Sequence, residues 1–271
     1  MPRLDPEQQL ALAARVNYYR DLGVFDFYRR GDAVPEPVSE SVLATVEAVA
    51  EETMPKKLST APLQDLLVTA DSPVAPEKRE AALKAIREDI GDCKRCPLAF
   101  AGRHTIVFGE GDPNTRLMFV GEGPGADEDA QGRPFVGRAG QLLNNMITAM
   151  GLQREQVYIA NIVKCRPPQN RTPEPVEANT CSQFLFRQID VIRPELLVAL
   201  GSTAATYLLG GKASLSSLRG RVHEARGSKL IVTYHPAYLL RDPRQKKEAW
   251  ADLQIAMAEL GLKAPKRPAS E

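Results

Sequence analysis

Four short apolar runs limit what this chain can fold into more than any other feature. They are Leu117–Val120, Val157–Val163, Leu196–Leu200 and Leu230–Tyr234. Each is short and almost wholly apolar, which is the pattern of a strand buried on both faces. Helical patterns separate them over residues 138–150, 174–192 and 202–209, and a last helix is expected over 244–260. Strands that alternate with helices predict a parallel sheet covered on both sides. The expected fold class is α/β, a three-layer α/β/α arrangement around a central four-stranded parallel sheet. Ligands of such sheets gather beyond the carboxyl ends of the strands. The loops that matter therefore begin at Gly121, Lys164, Gly201 and His235.

The first 80 residues have a different texture. Leu10, Val16, Leu22, Val24, Phe25 and Phe27 can share one helical face, interrupted at Gly23. Pro- and Ala-rich stretches at 31–37 and 71–76 read as linkers. The expected division is an N-terminal helical and flexible extension over 1–80, a folded domain over 81–262 and a flexible tail over 263–271. A helix over 77–90 should lead into Cys93. The net charge of +1 hides an asymmetry. Residues 1–90 carry 11 Lys/Arg against 16 Asp/Glu, and the remaining residues carry 24 against 18. The basic C-terminal part is compatible with a polyanionic partner. No apolar run approaches the roughly 20 residues that cross a bilayer. The start, MPRLDPEQQL, lacks the basic segment of a signal peptide, so a cytoplasmic location is expected.

A Gly-rich loop after a buried strand commonly holds a phosphate, and GEGPGADEDAQGRPFVG at 121–137 invites that reading. Residues 121–126 fit G-x-G-x-x-A, yet the next convincing helix is expected near Gly137, too late for a pyrophosphate at a helix N-terminus. The second strand also ends without the acidic residue that would hold a ribose. Residues 132–139 mimic a P-loop in spacing but put Arg138 where lysine belongs and Ala139 where a magnesium-binding hydroxyl belongs. No nucleotide cofactor is expected.

The four cysteines, Cys93, Cys96, Cys165 and Cys181, all lie in the basic part. Disulfides are rare in the cytosol, and Cys93-x2-Cys96 is a local chelate signal. Four thiolates suit zinc or an iron–sulfur cluster, and spacing alone does not separate the two.

Taken together, GEGPGADEDAQGRPFVGRAGQLL at 121–143, HPAYLLRDP at 235–243 and the four-cysteine spacing resemble the family 4 uracil-DNA glycosylases. The resemblance covers about residues 91–260 and leaves the N-terminal extension outside. It implies excision of uracil from single- or double-stranded DNA in base excision repair, by water and without magnesium. It implies that Cys93, Cys96, Cys165 and Cys181 hold a [4Fe-4S] cluster of structural role, with zinc as the alternative. A related group joins DNA covalently through a histidine in a basic inserted loop. RAGQLLNNM after Gly137 and RPPQNRTPEP after Cys165 contain no histidine, which argues against that subtype.

Losing uracil leaves an anionic base and a cationic sugar, so the enzyme must extrude the nucleotide, read its edge and stabilise both charges. Phe135 is the expected stacking platform. Asn161, a polar amide in an apolar strand, suits the N3–H and O4 of uracil and would clash with the amino group of cytosine. His235 is placed to donate to O2. Glu122 and Glu128 are the carboxylates for water and sugar, with their roles undivided. Gly123 and Gly125 would let backbone approach the ligand, and Ser202 would hold a DNA phosphate or cap a helix. Leu239, with Arg241 beside it, is a candidate wedge for the space left by the flipped base, or else a core anchor. Lys164, Arg166 and Arg171 are further phosphate candidates. A monomer is expected, with the extension either docking on a repair or replication protein or packing on the catalytic domain. The rival reading is a uracil- or single-strand-binding protein with little turnover.

Overall fold

The computed structural model describes residues 73–263. The helix expected within 5–31, the linkers up to residue 72 and the tail beyond 263 lie outside the described residues.

The four expected strands form the centre of one sheet. They are β2 (Leu117–Gly121), β3 (Tyr158–Asn161), β4 (Leu196–Leu200) and β6 (Ser228–Thr233), all mutually parallel. Every residue of β2, β3 and β4 is buried. The strand period of two sorts their side chains onto opposite faces. Met118 and Val120 join one apolar cluster, while Leu117 and Phe119 join the other.

The sheet has six strands rather than four, in the order β1-β3-β2-β4-β6-β5. β1 (Glu110–Gly111) and β5 (Val222–Ala225) are antiparallel edges on β3 and β6. Neither has the uniform apolar composition of the inner strands, because an edge needs pairing and only one dry face. β5 and β6 are joined through Arg226 and Gly227, both at positive φ, as a two-residue hairpin requires. β3 ends at Asn161, short of the expected Val163. The chain continues buried, with the N–H groups of Ile162 and Val163 donating to the carbonyls of Gly121 and Glu122.

Helices cover both faces. α1 (Arg79–Ile90), α4 (Pro175–Ile192) and α5 (Ser202–Leu209) pack on one side through Leu83, Ile86, Phe184, Leu185, Ile189 and Ala205. α3 (Arg138–Ala149) and α8 (Lys246–Leu260) cover the other through Leu143, Ile147, Leu253 and Ala256. α1 begins at Arg79, so the expected domain boundary at residue 81 falls inside a helix. Three short helices complete the set of described α-helices: α2 (Ala126–Gln131), α6 (Leu215–Leu218) and α7 (Pro236–Arg241). α2 corrects the sequence reading, since a helix does begin at the Gly-rich loop. Its first turn carries Asp127, Glu128 and Asp129, whose charges would repel a pyrophosphate there. No described helix is long and apolar enough to cross a membrane.

Candidate active site

The loops after β2, β3, β4 and β6 converge on a cavity of about 740 Å³. Glu122, Gly123, Gly125, Glu128, Phe135, Asn161, Ser202, His235 and Arg241 all line it, drawn from stretches as far apart as residues 122 and 241. The parallel strands place them there by ending on the same side of the sheet.

The two glutamates are held differently. Glu128 spends both oxygens on backbone. Its Oε2 accepts the N–H of Gly125 at 3.0 Å, and its Oε1 accepts those of Val136 and Gly137 at 2.9 and 3.0 Å. It thereby ties the start of α2 to the segment that carries Phe135. Glu122 accepts one hydrogen bond, from the Thr203 hydroxyl to Oε2 at 2.5 Å. Thr203, one residue past the expected phosphate contact Ser202, is a neighbour of this carboxylate that sequence reasoning did not place there. The N-cap of α5 is Gly201, and the exposed Ser202 occupies the first helical position.

Phe135, Asn161 and His235 stand together at the base of the cavity. The Phe135 and His235 ring centroids lie 5.5 Å apart with planes tilted by 33°. Phe135 has φ +52°, a left-handed conformation that costs a bulky residue about 1–3 kcal/mol unless its surroundings impose it. Gly121 makes the packing possible, because a Cβ there would overlap both the Phe135 ring and the Asn161 Oδ1. Asn161 is 2% exposed, and its Oδ1 has no hydrogen-bond partner. Among the described residues only Thr233 Oγ1 shares that condition. An orphaned buried acceptor is costly, so it points to a partner that arrives from outside. His235 Nδ1 accepts the N–H of Ala237 at 3.1 Å. Burial, and then the charge of Arg241, pushes its pKa down to about 4 against a smaller opposing effect of Glu128. The ring is therefore neutral near pH 7, with its single proton on Nε2.

Several expected site residues stand elsewhere. Leu239 is 1% exposed and packs inward from α7, so it is a core anchor and not an available wedge. Lys164 is 1% exposed and cannot meet a phosphate. Its Nζ donates to the Asn161 carbonyl at 3.0 Å and to Gln188 Oε1 at 2.6 Å. Arg171 does line the cavity, but its guanidinium is committed to Glu177, at 2.7 and 2.8 Å. His104 and His223 lie away from the cavity, bonded to Asp129 and to the Leu218 carbonyl. Tyr234 and Tyr238, stacked at 5.2 Å, line the cavity and carried no distinguishing sequence signal.

The four cysteines line a second, small apolar cavity with Ile90, Ile106, Lys164, Thr180 and Phe184. Cys93 and Cys96 follow α1, Cys165 follows β3 and Cys181 lies on α4. No group of three or more His, Cys, Asp or Glu side chains among the described residues is already arranged around a single ion. Burial raises the thiols of Cys96 and Cys165 and pushes Cys181 up to about 12. Bare thiolates are therefore disfavoured there unless a cationic group neutralises them. Two donors already face the sulfurs. Arg103 Nη1 lies 3.3 Å from Cys165 Sγ, and the Lys164 N–H lies 3.2 Å from Cys181 Sγ. Four thiols around one dry cavity, with N–H groups aimed at sulfur, fit a thiolate-bound metal centre.

Comparison with known proteins agrees with this layout. A family model described as the Uracil DNA glycosylase superfamily matches residues 108–254. The chain is 49% identical over 166 residues to a type-4 uracil-DNA glycosylase of Thermotoga maritima, covering 60% of this chain and 86% of that protein. It is 44% identical over 195 residues to the type-4 enzyme of Sulfurisphaera tokodaii, covering 69% and 87%. It is 39% identical over 192 residues to that of Archaeoglobus fulgidus, covering 68% and 96%. Fold, cavity and similarity lead to one conclusion: the chain belongs to the uracil DNA glycosylase superfamily, among relatives of the type-4 group.

Proposed function

We propose that the chain is a uracil-DNA glycosylase of base excision repair, which extrudes deoxyuridine from DNA and hydrolyses its N-glycosidic bond. The observation that carries this reading is the buried, unpartnered Oδ1 of Asn161 beside the Phe135 ring. A flipped uracil would stack on Phe135 and give its N3–H to that oxygen, while its O4 takes the Asn161 amide. Cytosine presents a donor in place of O4 and leaves the amide unpaired.

The N1–C1′ bond breaks with its electron pair on the base. Negative charge spreads to O2, where the Nε2–H of neutral His235 is available to donate. Water then bonds to C1′, and its proton passes to a carboxylate and on to solvent. Hydrogen bonding favours Glu122 for that task, because Glu128 already accepts three backbone N–H groups. Glu122 also faces the sugar as it becomes cationic. Gly123 and Gly125 leave room for the ligand, and the exposed Ser202 and Arg241 at the cavity rim suit DNA phosphates.

Cys93, Cys96, Cys165 and Cys181 would hold the [4Fe-4S] cluster, with zinc as the rival. The bound group supplies a structural cross-link among α1, α4 and the segment after β3, not a step of the reaction. A brown protein with broad visible absorption supports the cluster; a colourless protein with stoichiometric zinc overturns it. We place the catalytic unit from about residue 76 to residue 262, acting as a monomer on single- or double-stranded DNA. The segment before it would serve to meet a repair or replication protein or to pack on the catalytic unit.

Release of free uracil from a single-uracil oligonucleotide, in the presence of a magnesium chelator, tests the function. Tight binding without product would favour the non-catalytic rival.

A further inference from the structure

The Phe135 backbone is held by more groups than a loop residue needs, and the hub is a residue outside the cavity. Arg154 follows α3 in the turn before β3 and is mostly buried. Its five N–H groups all find acceptors. Nη1 donates to the Phe135 carbonyl at 3.1 Å and to Asn144 Oδ1 at 2.8 Å. Nη2 donates to the Pro134 carbonyl at 2.5 Å and to Glu110 Oε1 at 2.5 Å, and Nε donates to the same oxygen at 2.8 Å. Glu110 in turn accepts Arg133 Nε at 2.7 Å. Burial alone would raise the Glu110 carboxyl, but hydrogen bonds from Arg133 and Arg154 outweigh it and leave the group below the usual carboxylate range.

The peptides on the other side of Phe135 are held by Glu128 through the N–H groups of Val136 and Gly137. The Phe135 carbonyl is also packed against Gly140 so closely that a Cβ on that glycine would overlap it. Two carbonyls fixed by a guanidinium and two N–H groups fixed by a carboxylate leave the left-handed φ of Phe135 with no alternative. The edge strand β1 thereby acquires a task, since Glu110 belongs to it. Lysine cannot replace Arg154, because three rotatable donors on one nitrogen cannot reach acceptors spread along a planar fork.

We propose that Arg154, oriented by Glu110, is a positioning residue for base capture: it locks the Pro134–Phe135 backbone so that the ring faces the flipped base. This rests on the reading that Phe135 stacks on uracil.

The test is a double-mutant cycle in the full chain, with kcat, KM for uracil-containing oligonucleotide and melting temperature measured for Arg154→Lys, Phe135→Ala and the pair. Arg154→Lys should lower kcat/KM about ten-fold, equivalent to about 1.4 kcal/mol, mainly through KM. The same change in the Phe135→Ala background should cost less than about two-fold, because the residue it positions is gone. Additive losses, or an unaffected Arg154→Lys enzyme beside an impaired Phe135→Ala enzyme, would overturn the proposal and leave the stacking reading standing. An unimpaired Phe135→Ala enzyme would overturn the stacking reading, and the positioning role with it. If Arg154→Lys does not fold, Glu110→Gln answers the same question. It keeps both carbonyl contacts but weakens their anchor, and a KM effect that vanishes with Phe135→Ala is again expected.

Discussion

The uracil cavity and the cysteine cavity lie at either end of one short segment, Asn161 to Cys165, and they keep their shapes in opposite ways. The uracil cavity is held by bonds the chain makes to itself: Glu128 to three backbone N–H groups, Thr203 to Glu122, and Ala237 N–H to His235. Among its described lining residues, the one buried side-chain acceptor without a partner is Asn161 Oδ1, the atom proposed above to meet the base. The cysteine cavity has four thiols, two N–H donors and no internal partner that would neutralise four thiolates. One site is preorganised by the protein, and the other, on the reading proposed above, would be completed by the group bound to its thiols. Damage at the first should cost activity with little stability, and damage at the second should cost the fold.

The largest effect that would break this contrast is at Cys181. Cys181→Ser should bleach the visible absorption and remove much of the roughly 5–15 kcal/mol that holds a domain of this size together. Circular dichroism melting checks this, and an unchanged melting curve would show that the cysteines are dispensable. A smaller effect is expected from pH. His235 has a folded pKa of about 4 against 6.5 in its ordinary state, so the unfolded chain binds its proton first. Stability contributed at this position is complete above about pH 6.5, falls as pH drops through the window to about 4, and then levels off after a loss of about 3 kcal/mol. Denaturant unfolding at pH 7 and pH 4 should therefore show a smaller acid loss in His235→Asn than in the parent. An equal loss in both would mean that the imidazole is not held neutral. The smallest of these effects is at Thr203. Thr203→Val removes the hydroxyl on Glu122 and should lower kcat about ten-fold at constant KM, with melting unchanged. A loss confined to KM would move Thr203 from the carboxylate to the DNA.

Much of this was legible in the sequence, for identifiable reasons. The parallel strands could be read because burial on both faces leaves an uninterrupted apolar run, as in Leu196–Leu200. β1 and β5 could not, because a two-residue edge and the half-exposed Val222–Ala225 carry no such run. Glu122, Asn161, Ser202 and His235 could be read onto the cavity because they stand at or just past strand ends, whereas Tyr234, which also follows β6, carried no other signal. The division between Glu122 and Glu128 was hidden, since it depends on a threonine 81 positions away and on where three N–H groups point. Leu239 was open between wedge and anchor because α7, at six residues, is too short for a period to show which face is buried. The left-handed Phe135 gives no sign in the sequence, as its conformation is imposed by Arg154, Glu128 and the lack of a side chain at Gly140.

On the proposed reading, the orphaned acceptor of Asn161 recognises uracil in the cavity where its bond to the sugar is hydrolysed. Single-turnover release of free uracil from a single-uracil oligonucleotide, by the full chain and by Asn161→Ala, tests it most directly. The parent should release uracil, and the variant should lose about a hundred-fold in rate with its melting curve unchanged. Full activity in Asn161→Ala, or no uracil released by the parent, would contradict it.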